Sequence, residues 1–143
     1  NYISLNDLEK AAHYHKLGLE MNADPNSAFV QSMTETYGYC LIELAKYDLA
    51  IALKSKYKQF SHHADFVYMI GVIYMKKNMW EKAIQEFEKA TTLTSYSRKG
   101  VNSYRAYYNI GSIYEMMGNK EKAREYYQKC GDYNNALKRL EEL

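Results

Sequence analysis

The sequence predicts an all-α chain, an α-α superhelix built from antiparallel helix pairs. Three observations predict it. The stretch VYMIGVIYMKKNMWEKAIQEFEKA, residues 67–90, recurs forty residues later as YYNIGSIYEMMGNKEKAREYYQKC, residues 107–130. Within each copy the first apolar positions fall at i, i+3, i+4 and i+7, which is one face of a helix. The 143 residues include one Pro and seven Gly, too few punctuating residues for a β-rich or loop-rich fold.

The elements follow in chain order. Residues 1–24 contain NDLEKAAHYHKLGLEMN, which fits only the second helix of a pair, with Ala11 at its small position. Residues 25–63 form a weak pair: Gly38 and Ala50 each stand thirty-three residues before Gly71 and Ala83. There Leu41 takes the place of an aromatic and so does Lys54. Asp24-Pro25 reads as a cap followed by Pro in the first turn, predicting a helix over about 25–44. Residues 64–97 form a strong pair, with Val67, Ile70, Gly71 and Tyr74 on the first helix and Ala83, Phe87 and Ala90 on the second. Residues 98–103 are an inserted loop within TSYSRKGVNS, which either extends the preceding helix or forms a lip. Residues 104–131 repeat the strong pair with Tyr107, Ile110, Gly111, Tyr114, Ala123, Tyr127 and Cys130. Residues 132–143 close the chain with a capping helix through Ala136, Leu137, Leu140 and Leu143.

Gly in a helix interior costs about 1 kcal/mol relative to Ala. Gly71 and Gly111 are therefore expected where a partner helix approaches closely, with Ala83 and Ala123 opposite and the Tyr74 and Tyr114 rings filling the core beside the contact. Asn78 and Gly118 fall where each first helix should end in a left-handed residue. This pattern resembles the tetratricopeptide repeat, W-x2-L-G-x2-Y followed by A-x3-F and Ala, with a period of about 34 residues. The resemblance implies a tetratricopeptide solenoid of about three and a half repeats plus the capping helix, all in one domain. Its structural core would be Gly38, Ala50, Ile70, Gly71, Tyr74, Ala83, Phe87, Ala90, Ile110, Gly111, Tyr114, Ala123 and Tyr127.

Stacked pairs leave the first helix of each on a concave wall. Carrying over the family's groove positions gives Glu35, Tyr39, Ile42 and Glu43 from the weak repeat. The next repeat supplies Asp65, Tyr68, Val72, Met75 and Lys76; the last supplies Arg105, Tyr108, Ser112, Glu115 and Met116. Aromatics flanked by charges are what interface centres favour, so a protein or peptide partner is expected in the groove. The carboxylate clamp of some chaperone-binding relatives is not expected. Its cationic and amide positions here are Glu35, Tyr39 and Met69, with only Arg105 and Asn109 suitable.

Composition narrows the function. Hydrophobic residues are 47% and charged residues 25%, with a net charge of +2 and no charged block; this argues against a nucleic-acid partner. No apolar run nears the ~18 residues that span a bilayer, so no membrane role is expected. Cys40 and Cys130 stand ninety residues apart outside any paired motif, consistent with a reducing, cytoplasmic setting. His13 and His15 are two apart and point to different faces of a helix, while His62 and His63 read as a solvated turn pair. No metal, cofactor or catalytic centre is predicted, and the chain reads as a non-catalytic piece of a longer protein.

The last third is similar to the tetratricopeptide tails of bacterial family 2 glycosyltransferases. The likeness rests on Gly100, Ser103, Tyr104, Arg105, Ala106, Tyr107, Tyr108, Asn109, Ile110 and Gly111, then on Tyr133, Ala136, Arg139 and Leu140. It implies an appendage for dimerisation or acceptor docking, with no activity of its own. The leading expectation is a protein-interaction scaffold. The alternatives are a self-associating module, which would form a homodimer, and a peptide-responsive regulator, which would need more repeats.

Overall fold

The computed structural model describes residues 4–21 and 24–143. Among them are eight α-helices, one 3-10 turn and no strand. The helices are α1 (Leu5–Met21), α2 (Ala28–Glu43), α3 (Tyr47–Lys56), α4 (Ala64–Lys76), α5 (Trp80–Thr92), α6 (Tyr104–Met116), α7 (Lys120–Lys129) and α8 (Asn134–Glu142), with the 3-10 turn at Lys58–Phe60. The chain divides into two compact units, Asn1–Ser61 and His62–Leu143. The expected partial repeat over 1–24 lies in part outside the described residues. No helix among the described residues is long and apolar enough to cross a membrane.

In the first unit α2 packs against both α1 and α3. Gly18 lets α1 come close to α2, since a Cβ there would sit 2.7 Å from the Met33 methyl. The expected cap is displaced. Asp24 uses its carboxylate on the Asn26 amide (3.0 Å) to make a turn, and Ser27 is the residue that caps α2, accepting from Val30 N at 3.2 Å. Lys54 is exposed. The aromatic packing that it lacks comes from Tyr57 and Phe60, whose rings stack at 6.3 Å just beyond α3.

The second unit is ordered by α4, whose residues from Ala64 to Gly71 are all buried. A helix buried on nearly every side must be apolar on nearly every side, which explains the run AFVYMIGVIYM interrupted near its start by Asp65. Helix α5 packs on α4 and α6, and α7 packs on α6 and α8. The second helices are amphipathic, burying Ala83, Ile84, Phe87 and Ala90 on α5 and Ala123 and Tyr127 on α7. The groups facing the helix glycines differ from expectation. A Cβ on Gly71 would lie 2.8 Å from the Phe87 ring, and one on Gly111 would lie 2.7 Å from Tyr127. Space is left for a ring, one helical turn beyond Ala83 and Ala123. Tyr114, expected in the core, is half-buried; its ring stacks on Tyr126 at 5.7 Å near the surface.

Three helix ends close identically. Lys46 N donates to Leu41 O (2.8 Å), Met79 N to Tyr74 O (2.9 Å) and Asn119 N to Tyr114 O (2.9 Å). Between them Ala45, Asn78 and Gly118 adopt φ of 57°, 59° and 82°, the left-handed residue that such a closure requires. The weak repeat thus ends its first helix like the strong ones, with Ala in the costly position. The inserted loop does not extend α5, which ends at Thr92, and it is tied to the helices around it. Ser95 O accepts from Ala64 N at 2.8 Å, Asn102 Nδ2 donates to Leu93 O at 2.9 Å, and Val101 is buried.

Candidate functional site

The expected groove residues fall into two groups, because each unit carries its own. On α2, Glu35 and Tyr39 are half-buried, Glu43 is exposed and Ile42 is buried. Gln31 Nε2 donates to Glu35 Oε2 at 3.1 Å across one turn. The apolar Ile42 turns inward for the reason any Ile would: its burial stabilises the unit by about 2 kcal/mol. It belongs to the core and not to an open wall.

In the second unit the remaining residues lie on α4 and α6, and α8 reaches them through Arg139. Asp65 departs furthest from expectation. It is 3% exposed, and its carboxylate accepts the backbone amides of Ser97 (2.6 Å) and Arg98 (3.0 Å). A buried carboxylate needs such donors, and the loop supplies them, so Asp65 holds the loop and does not line a groove. His63 Nδ1 stands 3.4 Å from Asp65 Oδ2, which makes His63 a half-buried neighbour of that carboxylate and not a solvated turn residue.

Tyr68 is also buried, at 7% exposure. Its ring meets Phe87 edge-on at 5.3 Å, the Arg105 guanidinium lies 5.4 Å from its centroid, and its hydroxyl accepts from Asn109 Nδ2 at 2.8 Å. Burial pushes the Tyr68 phenol above its ordinary value, with Arg105 and Asn109 pulling the other way. The ring is therefore a base for Arg105 and Asn109, which stand over it. Val72 and Met75 are half-buried beyond it, and Lys76 is exposed.

On α6 the outward face is better developed. Arg105, Tyr108, Ser112 and Glu115 are half-buried and Met116 is exposed. Tyr108 is wedged between two rings, Tyr127 at 5.6 Å and Tyr133 at 5.6 Å, the latter edge-on. The Tyr127 hydroxyl donates to Glu115 Oε1 at 2.8 Å and lies 3.3 Å from Ser112 Oγ. Desolvation, helped by the Glu115 charge, raises the Tyr127 phenol to about 12. Arg139 of α8 completes the arrangement, holding Glu115 through Nε (3.1 Å) and Nη2. That pairing, a bidentate fork, holds the Glu115 carboxyl below its usual range.

Asn109, Tyr133 and Arg139 belong to this face although periodicity did not select them. Their signal was the C-terminal motif, which contains all three. Its Tyr133 and Arg139 seat α8 against α6, with Tyr133 also 4.9 Å from Tyr104. Met69, at the clamp position of the second repeat, is fully buried. Among the described residues no three His, Cys, Asp or Glu side chains gather to hold a metal ion.

Comparison with known proteins agrees with the repeat geometry. A family model for the tetratricopeptide repeat matches residues 66–130. Over those residues the chain is similar to the tetratricopeptide repeat. The fold extends beyond them. A crystal structure of MamA superposes with a TM-score of 0.70 at 22% identity, covering 94% of this chain and 77% of MamA. A second, of MamA protein, gives 0.72 at 23% identity over 94% and 70%. A third, MamA MSR-1 C2, gives 0.66 at 20% identity over 92% and 68%. At these identities the likeness is one of tetratricopeptide fold. No curated protein matches the sequence.

Proposed function

We propose that the chain is a non-catalytic protein-interaction scaffold, with the aromatic and polar face of α6 as its contact surface. Tetratricopeptide folds generally serve protein binding, and the observation that supports this use here is Tyr108. Its ring is held by Tyr127 and Tyr133 yet half-open, so a partner gains aromatic area without first freezing a side chain. Arg105, Asn109 and Ser112 surround it with donors, which suits an extended peptide or a polar partner segment. Glu35, Tyr39 and Glu43 on α2 are proposed as contacts of the same kind within their own unit. Cys40 and Cys130 are free thiols, which goes with a cytoplasmic setting.

Selection from a displayed random peptide library tests the reading. Peptides captured by the chain should lose at least about tenfold in affinity on Tyr108→Ala while the helical circular dichroism is kept. Selection that yields no binder, or binders indifferent to Tyr108→Ala and Arg105→Ala, rejects it. The glycosyltransferase-like motif supports a second use, as an appendage that dimerises or docks a catalytic neighbour. Light scattering separates the two, because a monomer at every concentration counts against self-association.

A further inference from the structure

A separate surface lies at the turn edge of the second unit. Met79, Trp80, Glu81, Lys82 and Met117 line a shallow cavity of about 370 Å³ where the α4–α5 turn meets the α6–α7 turn. Met117 is 46% exposed, and Met79 and Trp80 are half-buried. A Trp flanked by methionines offers one rigid anchor and two adaptable ones, a combination suited to apolar side chains of several shapes. The charge around it is one-sided. The turn segments KKNMWEK and MMGNKEK carry Lys76, Lys77, Lys82, Lys120 and Lys122 against Glu81 and Glu121. Two of these cations are positioned: Lys82 Nζ stands 5.8 Å from the Tyr74 ring centroid and Lys122 Nζ 5.9 Å from that of Tyr114.

We infer that this cavity docks an acidic amphipathic segment of a partner protein. Its apolar residues enter between Met79, Trp80 and Met117, and its carboxylates meet the lysine rim. The occupant is chosen by charge complementarity, since the two turn segments that flank the cavity carry five lysines against two glutamates, an excess that favours an acidic segment over a basic one. The site is distinct from the α6 face. Met117 follows Tyr108 by nine residues, about 13 Å along a helix axis, so the two surfaces can be separated by mutation.

Trp80 is the one tryptophan in the chain and reports directly on the cavity. The probe is a synthetic helical peptide with Leu at i, i+3, i+4 and i+7 and Glu between. It should shift the Trp80 emission saturably, and the affinity should fall as salt rises. Reversing the rim with Lys82→Glu and Lys122→Glu should weaken binding by about tenfold or more. Met117→Gln, at an exposed position that folding tolerates, should weaken it as well, and Tyr108→Ala should leave it unchanged. An unmoved emission overturns the inference. So does an equal shift with a Lys-for-Glu version of the peptide, or a shift seen only with phosphatidylserine vesicles.

Discussion

The Tyr127 ring lies 2.7 Å from the point that a Cβ on Gly111 would occupy. Ring and backbone are in contact there, and the ring is almost wholly buried, so it has nowhere to retreat. Gly111→Ala should gain about 1 kcal/mol of helix propensity and lose about 1–3 kcal/mol to overpacking. A net loss is expected in urea unfolding. Adding Tyr127→Leu should cost less than the two changes taken singly, because the smaller side chain removes the clash.

Ala45 is the converse case. Its φ of 57° puts a Cβ against the following carbonyl, at about 1–2 kcal/mol, whereas Gly118 fills the equivalent place at no such cost. Ala45→Gly should raise the stability of the first unit by up to about 1 kcal/mol. Gly118→Ala should lower that of the second by a similar amount, since open space around Gly118 leaves only the backbone to respond. Thermal and urea unfolding of both variants check the pair of signs.

Asp65 joins α4 to the loop of residues 93–103. Asp65→Ala would leave the Ser97 and Arg98 amides without their acceptor, a loss of about 2 kcal/mol for charge-assisted bonds. Hydrogen exchange should accelerate first at Ser97 and Arg98 and then at Ala64, whose amide the same loop receives. Asp65→Asn should fall between, since one carboxamide oxygen can replace only part of the acceptor capacity.

These cases mark what the sequence encodes plainly and what it does not. The helix pairs, the breaks at Asn78 and Gly118 and the small residues at Ala83 and Ala123 follow from spacing along one helix or across one turn. Such local rules hold whatever surrounds them. Asp65 occupies a groove position by the same spacing, yet a loop thirty residues downstream closes over it, and no periodicity contains that event. Ala83 was expected opposite Gly71 and the Phe87 ring lies there instead, because spacing fixes a face of the helix but not which side chain reaches across. Arg139 and Glu115 pair across 24 residues, a contact that depends on where α8 settles. Only the C-terminal motif, read as a family likeness, pointed to Tyr133 and Arg139.

The Arg139–Glu115 fork makes the seating of α8 sensitive to acid. Arg139 lowers the Glu115 carboxyl in the folded protein below its ordinary value of 4.5. A depressed carboxyl adds stability that is complete above the unfolded value and is lost as pH falls through the lower folded one. The seat of α8 should therefore hold at neutral pH and loosen below about pH 4.5. Exchange at amides 134–142 should quicken there before the amides of α4 respond. Glu115→Gln should remove that acid dependence and loosen α8 already at pH 7, because the amide offers Arg139 one oxygen and no charge. Tyr127→Phe separates the two partners of Glu115. It deletes the hydroxyl bond and the alkaline sensitivity of a phenol raised to about 12, whose contribution is lost as pH climbs from 10 towards that value. It leaves the arginine fork in place, so the acid transition of α8 should persist. If Tyr127→Phe abolished that transition as fully as Glu115→Gln, the hydroxyl and not the guanidinium would be what positions the carboxylate.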